Sequence, residues 1–218
     1  SDGAAGAIMD TRILTIDMGD SGTLTFAGDG GSSVLDAIDD VTPTANEESF
    51  DDVTGADVIP GGTGGNNMFH YSNGSLMDGL TLSASYTPSD GTSEVESSSD
   101  YGLKYTGIEG LTIGAGAGED NSAAASIDLT NMYVKYTMDA FSVGYQASEA
   151  DSETANADKD FQAIGLSYAV SEDLSVSINS STIEFENSSL SDQEATGFGI
   201  SYTMGSMTLA GTHNSVDT

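Results

Sequence analysis

The apolar residues of this chain recur at every second position. Residues 162–170, QAIGLSYAV, set Ile164, Leu166, Tyr168 and Val170 on one face and Ala163, Gly165, Ser167 and Ala169 on the other, which is the alternation of a strand. After a short turn at Ser171–Asp173, Leu174, Val176 and Ile178 resume the pattern against Ser175, Ser177 and Asn179, so the two strands read as one hairpin. The unit repeats. YGLKYT, GIEG and LTIGA span 101–115, MYVKYT and FSVGY flank a turn at Met138–Ala140 within 132–145, and TGFGISYT, MGS and MTLA span 196–210. A tyrosine stands just before each tight turn, and Tyr105, Tyr136, Tyr168 and Tyr202 are spaced by 31, 32 and 34 residues, the period of a repeated hairpin.

Two earlier hairpins fit the same rhythm more loosely. Residues 11–18 pair with 22–28 across GDSG, and 66–72 with 78–87 across the longer NGSLMDG. The pattern predicts about twelve strands in one domain, 1–218, with no helix beyond one turn in SVLDAIDD. Polar stretches such as SDGTSEVESSSD and SEADSETANADKD separate the hairpins and read as solvated loops, as do the acids at 94–100 and 149–160. Connections therefore alternate, short at one end and long at the other, as in an up-and-down antiparallel meander.

Composition narrows the function classes. With 35 Asp plus Glu against 4 Lys plus Arg, the formal charge is −31, which repels a phosphate backbone and excludes a nucleic-acid binder. An anionic membrane surface is disfavoured for the same reason. There is no Cys, so disulfide frameworks and thiol chemistry are absent. No run of about 18 apolar residues marks a transmembrane helix. The opening SDGAAGAIMDTR lacks a signal-peptide pattern, as expected of a mature, truncated or unexported chain.

A twelve-strand sheet with one apolar face must cover that face with protein or lipid. The second face decides between them. It carries Gly, Ser, Thr, Ala and Asn, with Lys104, Lys135 and His70 among them, which suits a wet lumen better than a filled core. Strands of this length match the roughly 9 to 11 residues that cross a bilayer when tilted. Tyr71, Tyr105, Tyr136, Tyr168 and Tyr202, joined by Phe141, would then form an aromatic girdle at the short-turn interface, ring in hydrocarbon and phenol at the headgroups. The expected fold is an all-β transmembrane antiparallel up-and-down barrel, whose closure removes the edges that lipid would not tolerate.

Residues 29–65 break the rhythm. The segment holds Asp29, Asp36, Asp39, Asp40, Glu47, Glu48, Asp51, Asp52 and Asp57 and no basic residue. Val34, Leu35, Ile38, Val41, Phe50, Val53, Val58 and Ile59 are too many apolar anchors for a solvated linker, so the loop is expected to pack against something.

The hairpin meander, the tyrosine before each turn and the single long inserted loop resemble a Gram-negative outer-membrane porin, similar to the general-diffusion porins of alphaproteobacteria. The resemblance covers the whole chain as architecture and rests on no residue motif. It implies a sixteen-stranded, trimeric barrel in the bacterial outer membrane, in contact with its lipid and passing small hydrophilic solutes. In it, 29–65 would be the third extracellular loop, folded inward as the constriction, and 22–28 the fifth strand. The visible strands would then run from fourth to fifteenth, with the first three and the last missing. Asp36, Asp39, Asp40, Glu47, Glu48, Asp51 and Asp52 would rim the constriction, and Lys104, Lys135 and His70 would line the pore. One departure stands out. Such porins face the loop with a basic cluster, whereas this chain offers only Arg12, Lys104 and Lys135, and alternation puts Arg12 with Leu14 and Ile16.

So many carboxylates at a pore predict cation preference, strong in dilute salt and weak where the Debye length falls to about 3 Å at 1 M. No enzyme and no cofactor is called for. His70 and His213 stand apart from any nucleophile elbow or HExxH and read as polar residues of the pore wall, and GGTGGNN lacks the lysine and following helix of a phosphate loop. Asp39 with Asp40, Glu47 with Glu48 and Asp51 with Asp52 offer oxygens for Ca²⁺, without DxDxDG spacing. The competing reading is an acidic, exported β-rich surface-layer or adhesion protein that holds Ca²⁺. It accounts for the acidity but not for turns alternating short and long with tyrosine at the short end.

Overall fold

A computed structural model of the protein describes residues 12–49, 66–89, 91, 96–123 and 125–218. They form one twelve-stranded antiparallel sheet in which each strand pairs only with its neighbours in sequence. The strands are β1 (Arg12–Asp17), β2 (Thr23–Asp29), β3 (Met68–Met77), β4 (Leu80–Thr87), β5 (Ser98–Ile108) and β6 (Leu111–Asp120). They continue with β7 (Ile127–Met138), β8 (Phe141–Ser152), β9 (Lys159–Ala169), β10 (Leu174–Phe185), β11 (Gln193–Met204) and β12 (Met207–Asp217). The number and order agree with the sequence reading, and the only helical element among the described residues is the short 3₁₀ turn Gly19–Ser21 between β1 and β2.

The tight turns have a local cause. Gly79, Gly110 and Gly205 have positive φ, and so does Asp139, the left-handed conformation that closes two-residue hairpins and that glycine adopts without strain. A Cβ on Gly110 would lie 2.3 Å from Thr137 O, so close backbone approach also demands glycine there.

Two details differ from expectation. β3 continues to Met77, so its turn is only Asp78–Gly79, because a register shift between Asn73 and Met77 absorbs the polar NGS as a bulge. Several strands also run on into the stretches read as loops, β5 from Ser98, β8 to Ser152 and β9 from Lys159. The apolar alternation covers only the middle of these strands, and hydrogen-bonded pairing continues beyond it, where side chains facing outward become acidic, as at Glu149, Asp151 and Asp160.

The sheet has two chemically distinct faces. On one, Met132 is 60% exposed, Ile164 53%, Ile178 55% and Leu209 72%, a band of large apolar groups with no protein cover, which water tolerates poorly. On the other lie small and polar residues, many of them buried, such as Asn131, Gln146, Ser148, Ser177 and Ser181. No helix among the described residues is long and apolar enough to cross a membrane; a crossing by this chain is made by strands.

Candidate functional site

The inner face is buried where residues 33–49, which follow β2, lie on it. Its first turn is built locally. Ser33 N donates to Asp36 Oδ2 at 3.0 Å and Asp36 N to Ser33 Oγ at 3.3 Å, a reciprocal cap of the S-x-x-D kind, and Ile38 N donates to Leu35 O at 3.0 Å. This is the single turn expected of SVLDAIDD.

The barrel wall holds that turn by its amides. Val34 N donates to Ser85 Oγ of β4 at 2.9 Å and to Asp100 Oδ1 of β5 at 3.4 Å, and Leu35 N donates to Asp100 Oδ2 at 3.2 Å. Asp100 is fully buried. The expectation that the acids at 94–100 are solvated is thereby corrected at Asp100: inward alternation on β5 carries its carboxylate under the loop, where backbone N–H groups satisfy it. Leu35 and Ile38 then pack with Leu129, Tyr133 and Ala150, with Val41 and Ile127 at the margin.

Further along, Asn131 Nδ2 of β7 donates to Ile38 O at 2.5 Å, Val41 N to Gln146 Oε1 of β8 at 3.1 Å, and Gln146 Nε2 to Asp39 O. Ala45 N donates to Ser177 Oγ of β10 at 2.8 Å, Asn46 Nδ2 to Thr212 Oγ1 of β12 at 2.8 Å, and Asn214 Nδ2 to Glu48 O at 3.2 Å. The loop thus crosses the inner wall from β4 to β12.

Glycines make the track it lies in. A Cβ on Gly102 would meet Val34 Cγ1 at 2.5 Å, one on Gly116 would meet Leu35 Cδ2 at 2.7 Å, one on Gly144 would meet Pro43 Cδ at 2.5 Å, and one on Gly165 would meet Pro43 O at 2.8 Å. These glycines read in the sequence as the small inner face of a strand; their role is to let a second layer of backbone approach.

The expected constriction acids fare differently. Asp36 and Asp39 are half-buried, while Asp40 and Glu47 are exposed. Burial, then the charges of Asp40 and Asp36, push the carboxyl of Asp39 up from 3.8 to about 7. Glu48 is a correction. It is 9% exposed, drawn against the wall where Asn214 takes its carbonyl, and so is not among the acids open to water. Asp51 and Asp52 lie outside the described residues. Among the described residues no group of three or more His, Cys, Asp or Glu is placed to hold a metal ion.

Of the basic residues, His70 and Lys104 meet at one cleft beside the first turn of the loop; Lys135 sits on the same face, opposite Thr112 and Gly144. Arg12 stays at the edge, at a register shift, its guanidinium donating to Gly28 O at 3.3 Å. The tyrosines keep to the outer face near the short turns: Tyr71 opposes Leu24, Tyr105 Leu80, Tyr136 Leu111 and Tyr202 Leu174, and Tyr168 stacks on Phe141 with centroids 4.4 Å apart. His213 faces outward opposite Phe198. It is not on the pore wall, as had been expected of it.

An uncovered apolar outer band, a polar inner wall and a loop folded across that wall define a transmembrane β-barrel channel. The chain belongs to the Gram-negative porin family, whose model matches residues 3–218, and its place is the outer membrane. It is similar in fold to the anion-selective porin from Comamonas acidovorans (13% identity, TM-score 0.71, covering 94% of this chain and 66% of that one). It is also similar to the trimer form of Vibrio cholerae OmpT (14%, 0.64, 91% and 67%) and to Salmonella typhi OmpF in complex with daunomycin (12%, 0.66, 89% and 67%). No curated protein matches it in sequence.

Proposed function

We propose that this porin is a passive, cation-preferring pathway for small hydrophilic solutes and ions, narrowed by the loop and performing no chemistry. The observation that carries the proposal is the loop's course along the inner wall with Asp36, Asp39, Asp40 and Glu47 on it. In a bore bounded by low-dielectric protein, those carboxylates concentrate cations and repel anions, and Arg12, Lys104, Lys135 and Lys159 are too few to reverse the sign. Tyr71, Tyr105, Tyr136, Phe141, Tyr168 and Tyr202 serve as the girdle at the short-turn interface. The working assembly is a homotrimer, in line with the trimer form of the Vibrio cholerae relative.

The test is reconstitution of detergent-purified protein in a planar bilayer under a dilute KCl gradient. Stepwise ohmic openings with a reversal potential toward the cation limit are expected. Anion preference would remove the carboxylate-rimmed constriction, and a folded protein that never conducts would remove the channel.

A further inference from the structure

We propose that the cleft beside the loop's first turn binds small monocarboxylate solutes, with Lys104 as the anchoring cation. The proposal rests on the channel reading and names a solute class for it. The cleft holds about 220 Å³, room for several waters or a compact organic anion.

Its two sides differ in chemistry. Val34, Ala37 and Ile38 of the loop make one side apolar, and Ser72, Thr81 and Ser83 of β3 and β4 give the other its hydroxyls. Ser83 Oγ donates to Ser72 Oγ at 3.2 Å, which leaves the Ser72 hydroxyl hydrogen for a ligand oxygen. His70 is held beside it, Nδ1 3.3 Å from Ser32 O.

Lys104 is the decisive group. In a chain with 35 acidic and 4 basic residues, a lysine has an abundance of carboxylates to choose from. Arg12 bonds Gly28 O, and Lys159 lies over the Phe185 ring at 5.8 Å. Lys104, among the described residues, has no hydrogen-bond or ion-pair partner, yet it opens on the cleft. An ammonium without a counter-charge, beside a free hydroxyl and facing a hydrocarbon wall, matches a carboxylate joined to a short aliphatic tail. A dianion suits it less, since the cleft sets a single lysine against two charges. Binding of one exposed charge in water is weak, with a Kd on the order of 1 mM, as a diffusion pathway requires.

The probe is butyrate, added to one side of channels conducting in dilute KCl, with inorganic phosphate as comparator. The expected result is a saturable reduction of current, weakened about tenfold or more in Lys104→Gln and unchanged in Lys159→Gln, a lysine at the far end of β9. Equal block of Lys104→Gln, tighter block by phosphate than by butyrate, or no block of conducting channels would each overturn it. Calorimetric titration of butyrate into the folded, detergent-solubilised protein separates the two readings. Lys104-dependent heat without any conductance keeps the site and removes the channel, and conductance without such heat does the reverse. Heat-shifted mobility in SDS checks that Lys104→Gln folds.

Discussion

The two halves of the inner loop are held by different physics. Residues 33–41 lie on β4 to β8 with Leu35 and Ile38 inside an apolar cluster, and with the amides of Val34, Leu35 and Val41 all bonded to wall side chains. Residues 42–49 lie on β8 to β12 and add no large apolar group to a core. Thr42 Oγ1, Ser49 Oγ and both amide atoms of Asn179 are buried there without a protein partner; on the first half only Asn131 Oδ1 is in that position. An unpaired buried polar atom costs about 1–3 kcal/mol. On the proposed channel reading the first half is expected to set the bore, and the second to open at lower free energy.

The largest expected effect breaks the comparison outright. Gly116→Val puts atoms where Leu35 Cδ2 lies at 2.7 Å and Tyr101 O at 3.0 Å; the turn is driven off the wall, and single-channel conductance rises while the barrel still folds. An unchanged conductance would mean that residues 33–41 do not limit the pore.

Asp100→Ala is next. Val34 keeps Ser85 Oγ, but the Leu35 N–H loses its acceptor, at about 1–3 kcal/mol. Hydrogen exchange should show faster exchange at Leu35 with little change at Ala45. Equal acceleration at both would show that the halves open together.

A smaller effect comes from Asp39. Its pKa is raised to about 7, so the folded state binds a proton that the unfolded chain has already lost between about pH 4 and 7. Loop packing is firmest below that window and weakens as pH rises to 7, while ionisation adds a carboxylate to the bore. Cation preference should increase from pH 5.5 to 8 with a midpoint near 7, and Asp39→Asn should flatten that titration of the reversal potential.

The smallest effect is expected at Asn179. Truncating an amide whose buried atoms have no partner removes their desolvation cost and so offsets the lost packing, and the net loss of stability should stay under about 1 kcal/mol. A loss above about 2 kcal/mol in thermal unfolding would mean that ordered water satisfies that amide and that the second half is as firmly held as the first.

The strands were legible in the sequence because their signal has a period of two and needs only adjacent residues. Ile164, Leu166 and Tyr168 face outward, and Gly165 and Ser167 face inward, as the alternation requires. The turns followed from Gly and Asp at positive-φ positions, and the tyrosines from their fixed place before those turns. Even the inserted loop betrayed its packing through apolar anchors at Val34, Leu35 and Ile38.

What the loop packs on was decided only in three dimensions. Leu35 meets Asp100 across 65 residues, Val41 meets Gln146 across 105, and Asn46 meets Thr212 across 166; nothing in the local pattern of either partner marks the other. That is why Asp100 read as a solvated acid and Glu48 as a pore acid, when both are buried. Alternation assigns a residue to a face of the sheet, but whether that face meets water or a second layer of backbone depends on where a distant segment comes to rest.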